Sequence, residues 1–144
     1  MARLRREIGG TLVLDAEGLV KLSNGDLRAL SRAKLAHARD ATVVIAATTL
    51  AEVLRGGTRD APVYHALTRV MVISIHAEQA RAAGELLGRI RLAGHGRALD
   101  ALVAVVAMAQ PRPVVLLTSD TKDLERLTEE PDRPRRERVT VVHI

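Results

Sequence analysis

Five short runs of branched aliphatic residues alternate with segments of helical spacing, and this alternation limits the possible folds more than any other feature of the sequence. Such runs are typical of strands buried on both faces of a sheet. Parallel neighbours need a crossover, which is usually a helix, so the pattern predicts a mostly parallel sheet covered by helices on both faces. We predict strands at 11–14, 42–46, 70–75, 114–117 and 139–144. We predict helices at 16–22, 26–38, 49–54, 78–92, 98–110 and 122–128.

The chain has 144 residues, which is the size of one domain with its own hydrophobic core. The predicted connections at 56–62, 94–96 and 131–138 are loops, and none is long enough to separate two domains. We therefore expect a single α/β domain over residues 1–144, built as a three-layer α/β/α sandwich around a five-stranded sheet.

The absence of cysteine excludes disulfide scaffolds, zinc–thiolate sites and thiol nucleophiles, so any metal must be held by oxygen or imidazole. The longest purely apolar run, 101–109, is far shorter than the roughly 20 residues that span a bilayer. The arginines within residues 1–7 are not followed by an apolar stretch of signal-peptide length. We expect a soluble, cytoplasmic protein without a membrane segment.

The net charge of +5 favours a polyanionic partner. The chain has one tyrosine, Tyr64, and neither phenylalanine nor tryptophan, so stacking of bases on aromatic side chains cannot be its main mode of nucleic-acid binding. Contacts to a nucleic-acid backbone would have to dominate.

Two aspartates follow predicted strands directly. Asp15 ends the first run and Asp120 follows the fourth. In open parallel sheets, ligands bind beyond the carboxyl ends of the strands, so both side chains are expected in one crevice. Aspartate is also a preferred N-cap, and both residues precede a predicted helix, so capping is the favoured role of each taken singly, and it is their pairing at two strand ends that favours a functional role.

Asp100 is the only charged residue in a helix that is apolar around nearly its whole circumference. A buried carboxylate needs a cationic partner, because an unpaired one costs several kcal/mol or becomes protonated. Arg97 could supply it through an i, i+3 pair, and a metal ion is the alternative that we favour. Glu52 follows the second strand, at the same edge as Asp15, although Arg55 at i+3 could make it an ordinary exposed ion pair.

A cluster of carboxylates in one partly desolvated crevice is stable only when cations neutralise it. Oxygen ligands alone, with no cysteine and no ordered histidine motif, suit Mg²⁺ or Mn²⁺ better than Zn²⁺. Such ions bind phosphate oxygens and activate water, so the residues predict hydrolysis of a phosphodiester.

Four segments resemble, in order and spacing, the four acidic motifs of PIN domains, especially those of VapC-type toxins. They are Leu-Val-Leu-Asp-Ala-Glu-Gly-Leu-Val at 12–20, Thr-Leu-Ala-Glu-Val-Leu-Arg-Gly at 49–56, Ala-Leu-Asp-Ala-Leu-Val-Ala at 98–104 and Leu-Leu-Thr-Ser-Asp-Thr-Lys-Asp-Leu at 116–124. The resemblance implies a PIN fold with strand order 3-2-1-4-5 and an Mg²⁺- or Mn²⁺-dependent endoribonuclease that acts on RNA. It also implies that a small VapB-like antitoxin inhibits the protein and that the protein forms a homodimer.

The resemblance further implies roles for individual residues. Thr118 would support the strand-end aspartate, and Asp123 would be an accessory acid. The acidic quartet, both catalytic and metal-binding, would be Asp15, Glu52, Asp100 and Asp120.

The sequence departs from the family pattern at two positions. Glu17 stands where the family commonly has a small or hydroxylated residue. Arg97 stands where some relatives carry a second acid. Arg97 and Arg55 are candidate RNA contacts, but Arg97 could instead pair with Asp100 and weaken metal binding.

Two other functions remain open at this point. A phosphatase of the haloacid dehalogenase type is faintly suggested by Asp15-Ala-Glu17, and release of phosphate without RNA cleavage would favour it. A non-catalytic RNA-binding or interaction module is the second alternative, with its acids acting as caps and ion pairs. A receiver domain is disfavoured, because His76 follows the third predicted strand where an acceptor aspartate would be needed. Among the histidines only His95 is singled out for testing.

Overall fold

The computed structural model describes residues 9–92 and 96–144, which leaves His95 and the arginines of residues 1–7 outside the described residues. All five predicted strands are present: β1 (Thr11–Leu14), β2 (Thr42–Ala46), β3 (Met71–Ile73), β4 (Val114–Thr118) and β5 (Thr140–His143). They form one sheet in the order β3-β2-β1-β4-β5, with every neighbouring pair parallel. The predicted topology is therefore confirmed.

Each predicted helix is also present, with ends within two residues of the prediction. The helices are α1 (Ala16–Ser23), α2 (Leu27–Ala38), α3 (Ala47–Val53), α4 (Ala61–Leu67), α5 (Ala77–Ile90), α6 (Ala98–Met108) and α7 (Thr121–Leu127). Two short 3₁₀ turns, Thr58–Asp60 and Arg135–Glu137, lie in the connections before α4 and before β5.

The prediction of a loop over 56–62 was wrong in its second half, and it missed α4 altogether. Gly56 and Gly57 do have positive φ angles of 89° and 81°, so the segment begins as a turn. Pro62, however, lies in the first turn of α4, where a helix tolerates proline because the missing N–H has no partner there. The prediction failed because it took a helix-starting proline for a loop residue.

Strand β3 is shorter than the predicted 70–75 because it lies at the edge of the sheet and pairs only with Val44, Ile45 and Ala46 of β2. The edge position also leaves Met71 55% exposed.

The sheet separates two hydrophobic clusters, as a three-layer sandwich requires. Val13 of β1 faces one cluster, which includes Leu86 of α5, Val103 of α6 and Leu124 of α7. Its neighbour Leu14 faces the other. That cluster includes Leu12 of β1, Leu19 of α1, Ala29 of α2 and Val63 of α4. No helix within residues 9–92 and 96–144 is long and apolar enough to cross a membrane.

The register between β1 and β4 determines where the site lies. Thr11 pairs with Val114 and Leu14 with Leu117, and the Asp15 N–H donates to the Leu117 carbonyl at 3.3 Å. The two central strands therefore end level with each other, so Asp15 and Asp120 leave the sheet at the same carboxyl edge.

Candidate active site at the carboxyl edge of the sheet

Asp15 is both a helix cap and a buried acid. It is the N-cap of α1, and its Oδ1 accepts a hydrogen bond from the Gly18 N–H at 2.8 Å. It is also only 8% exposed. Burial raises the pKa of its carboxyl group above the ordinary value, the hydrogen bonds from Thr118 and Gly18 oppose that rise, and the negative charges of Asp100 and Glu17 add to it. Capping therefore holds the carboxylate in place within an acidic crevice.

Gly18 is a positioning residue that the sequence analysis did not single out. A Cβ at this position would lie 3.2 Å from the Leu117 carbonyl oxygen and 3.4 Å from Asp15 Oδ1, both tighter than or at the limit of ordinary contact. The glycine thus lets the first turn of α1 approach the end of β4. A glycine three residues after a strand-end aspartate is the signal by which it could have been found.

Thr118 connects the two strand-end aspartates. It ends β4 and is completely buried. Its Oγ1 accepts a hydrogen bond from the Asp120 N–H at 2.9 Å, and its hydroxyl also forms a hydrogen bond with Asp15 that lowers the pKa of that carboxyl group. Asp120 in turn accepts from the Asp123 N–H at 3.3 Å, so it caps α7 as Asp15 caps α1.

Glu52 lies on α3, half-buried and close enough to the other acids to be affected by their charge. Its pKa is raised by burial first, and then by the negative charges of Asp100 and Asp15. Arg55 does not supply a compensating charge in the way the sequence allowed, because its guanidinium donates to the carbonyls of Ala51 at 3.0 Å and Leu54 at 2.8 Å.

Asp100 lies in the first turn of α6, and its side chain is 28% exposed, so it opens into the crevice rather than into the core. Burial raises its pKa, as do the charges of Asp120 and Asp123, whereas Arg97 acts in the opposite direction. On the same helix, Ala104 and Ala107 are completely buried. These small side chains let α6 lie close to the sheet.

Arg97 lies among three of the acids. Its Nη1 is 2.5 Å from Asp123 Oδ2, 2.9 Å from Asp120 Oδ2 and 3.6 Å from Asp100 Oδ2, and its side chain is 37% exposed. The hydrogen bond to Asp120 raises the pKa of the guanidinium, and the charge of Asp123 adds to this. The Arg97–Asp100 pair that the sequence left open is therefore present, but it is the longest of the three contacts.

The crevice thus has two parts. The first, which we call the acidic half, holds Asp15, Glu52 and Asp100. The negative charge of Asp100 raises the pKa of both Asp15 and Glu52, and the charge of Asp15 raises the pKa of Glu52. The second, the paired half, holds Asp120 and Asp123 against Arg97.

The donor set of the acidic half matches a hard divalent cation in type, because it consists of carboxylate oxygens whose mutual repulsion a cation would relieve. Within residues 9–92 and 96–144, no three acidic or histidine side chains are already arranged around one ion position. The match to a cation therefore rests on donor chemistry and charge.

The chain matches no family model and no curated protein sequence. Among solved structures, it is similar to a chain in the crystal structure of VapBC2 from Rickettsia felis bound to a DNA fragment from their promoter. That match has a TM-score of 0.67 and 20% identity, over 93% of this chain and 98% of the other. It is also similar to a chain in a toxin–antitoxin complex from Klebsiella pneumoniae, with a TM-score of 0.58 and 23% identity, over 78% and 88% of the two chains.

The first of these matches covers nearly the whole chain and the second about three quarters of it. The chain therefore has a three-layer α/β/α PIN-like fold. In this PIN-like fold, Asp15 follows β1 and Asp120 follows β4, while Glu52 lies on α3 and Asp100 lies in the first turn of α6. Each of these four acids is close enough to at least one other for its charge to affect a pKa.

Proposed function

We propose that the protein is a metal-dependent endoribonuclease that hydrolyses RNA phosphodiester bonds with Mg²⁺ or Mn²⁺ and acts as the toxin of a toxin–antitoxin pair. The observation that supports this most strongly is the acidic half of the crevice. Its carboxyl groups come from three elements far apart in the sequence, yet the charge of Asp100 raises the pKa of Asp15 and Glu52, and the charge of Asp15 raises the pKa of Glu52. Burial of like charges at a common edge is typical of sites that bind a cation.

We assign a role to each residue of the proposed site. Asp15, Glu52 and Asp100 would bind the ion, and Asp120 would complete the acidic quartet, with Asp123 as an accessory acid. Thr118 and Gly18 fix the Asp15 carboxylate by hydrogen bonds from two directions. When bound, the ion would neutralise phosphate oxygens and lower the pKa of a water molecule.

RNA would be held by its backbone. The net charge of +5 attracts a polyanion, and with a single aromatic residue the chain offers few surfaces for stacking of bases. Arg97, half-exposed at the start of α6, contacts acids of the crevice, and Arg55 is exposed just after α3, the helix that carries Glu52. We propose both as contacts to RNA phosphates.

The structural neighbours suggest the partner. Both come from complexes of a toxin with its antitoxin, one of them bound to promoter DNA. We propose that a small VapB-like antitoxin binds this chain and blocks its activity, and that the chain forms a homodimer. Size-exclusion chromatography with light scattering of the chain, alone and after co-expression with the product of an adjacent short reading frame, tests both proposals.

The decisive experiment on activity uses purified protein and fluorescently labelled RNA. We expect cleavage in Mg²⁺ or Mn²⁺, none after EDTA, and a loss of about 10²-fold or more in Asp100→Asn, the range typical for a group that manages charge in the transition state. Asp26→Asn is the matched control. Asp26 caps α2 through hydrogen bonds to Arg28 and Ala29 outside the crevice, and asparagine also caps helices well.

Cleavage by Asp100→Asn at the rate of the unsubstituted protein, with both variants folded by circular dichroism, would refute the proposed mechanism. Hydrolysis of a small phosphoester with intact RNA would favour a phosphatase instead.

A further inference from the structure

Arg97 differs from an ordinary surface arginine in the number of acids that it contacts through one nitrogen. Its Nη1 lies within 3.6 Å of carboxylate oxygens from Asp100, Asp120 and Asp123, which belong to two different helices and to the turn between β4 and α7. Most exposed ion pairs join two side chains and contribute little. A single cation shared by three carboxylates instead occupies the position that these oxygens would offer to a metal ion.

The distribution of charge supports this comparison. The pKa values of Asp15 and Glu52 are raised, and no positive charge lowers them. Arg97, by contrast, lowers the pKa of Asp100. One guanidinium carries a single charge against three carboxylates, so the crevice as a whole stays negative. Arg97 therefore supplies positive charge to Asp120 and Asp123 of the paired half and, over a longer distance, to Asp100, whereas no positive charge lowers the pKa of Asp15 or Glu52.

We infer that Arg97 is a built-in counter-ion that occupies the paired half of the crevice and prevents a divalent ion from binding there. The protein then binds at most one divalent ion, in the acidic half. This inference rests on the proposed function for the identity of the ion, but it concerns how many ions the crevice admits.

The test is to count bound Mn²⁺ by electron paramagnetic resonance, without RNA, in the unsubstituted protein and in Arg97→Gln. We expect one Mn²⁺ per unsubstituted chain. For Arg97→Gln we expect either a second Mn²⁺ or the same number bound at least about tenfold more tightly. Arg97→Lys, which retains a positive charge, should bind as the unsubstituted chain does.

Arg133→Gln is the matched control. It also removes one arginine charge and one ion pair, the one with Glu130 at 2.9 Å, but this pair lies in the connection before β5, away from the crevice. We expect it to leave both the number of ions and their affinity unchanged.

An Arg97→Gln variant that binds the same number of ions with less than a tenfold gain in affinity overturns the inference, including when its RNA affinity falls. If Arg97→Gln does not fold in EDTA, refolding in millimolar Mg²⁺ supports the inference, since the ion then replaces the guanidinium. Failure to refold in Mg²⁺ overturns it.

The same measurement separates this inference from the proposed function. If the unsubstituted chain binds no Mn²⁺ but Arg97→Gln binds one, the counter-ion role is supported and metal-dependent catalysis by the natural chain is overturned. If the unsubstituted chain binds one ion and Arg97→Gln binds two, both are supported.

Discussion

At the scale of single residues, the crevice stores unfavourable electrostatic energy in its ionised carboxylates. Burial raises the pKa of Asp15, and its hydrogen bonds from Thr118 and Gly18 only partly offset that effect. The native protein without metal therefore retains protons that the unfolded chain releases. Protonation of Asp15 therefore adds to the free energy of unfolding below the ordinary carboxyl pKa of about 4. This contribution is lost as pH rises through the raised pKa of the folded state.

The first prediction follows from the direction of this pH dependence. Asp15→Asn keeps an acceptor for the Gly18 N–H but cannot ionise, so in EDTA it should become more stable relative to the unsubstituted protein as pH rises from about 4 to 7. Urea unfolding at several pH values measures the difference. A difference in unfolding free energy that does not change with pH would contradict the raised pKa.

A second prediction concerns Gly18. A valine there would push its branched side chain into the Leu117 carbonyl and the Asp15 carboxylate, which a Cβ alone would already approach to 3.2 and 3.4 Å. We expect Gly18→Val to lower both thermal stability and RNA cleavage, and to weaken Mn²⁺ binding measured by calorimetry. Gly84→Val is the control, because a Cβ at that position of α5 meets nothing within 4 Å. Unaltered Mn²⁺ affinity in a folded Gly18→Val variant would show that Gly18 does not position Asp15.

At the scale of elements, α6 is placed by its small residues. Ala104 is completely buried where α6 lies against the sheet and α5, while Ala98, at the start of the same helix, is exposed. We predict that Ala104→Leu lowers the unfolding free energy by about 1–3 kcal/mol, the usual effect of overpacking, and that Ala98→Leu changes it little. Chemical denaturation of both variants measures the contrast. Equal stability of the two would mean that α6 has room to move away from the sheet.

The elements were predictable to different degrees, for physical reasons. Strands β1, β2 and β4 are buried on both faces, so their apolar runs reveal them almost to the residue. The edge strand β3 and the proline-initiated α4 lack that constraint.

In the site, the acids were found because carboxylates at strand ends and in an apolar helix are conspicuous. The contacts of Arg97 with Asp120 and Asp123 depend on how α6 packs beside α7, which spacing along the chain does not encode.

At the scale of the whole molecule, the positive charge should govern RNA binding. Because the net charge is +5, we expect the Asp100→Asn variant to bind uncleaved RNA more weakly as salt is added. The logarithm of the binding constant should fall linearly with the logarithm of the salt concentration, with a slope of roughly −0.7 for each phosphate contacted on a single strand. Fluorescence anisotropy between low and physiological salt measures the slope. Binding that is indifferent to salt would contradict backbone recognition.

The pairing of β1 with β4 has a consequence for the newly made chain. Thr11 pairs with Val114, so during synthesis the central strand β1 lacks one of its two neighbours until β4 has left the ribosome. Thr118, which fixes Asp15, arrives with the same strand, and Asp100 only shortly before it. A nascent chain therefore cannot assemble the crevice before β4 has been made, so the nuclease activity proposed above can begin only once that strand is in place.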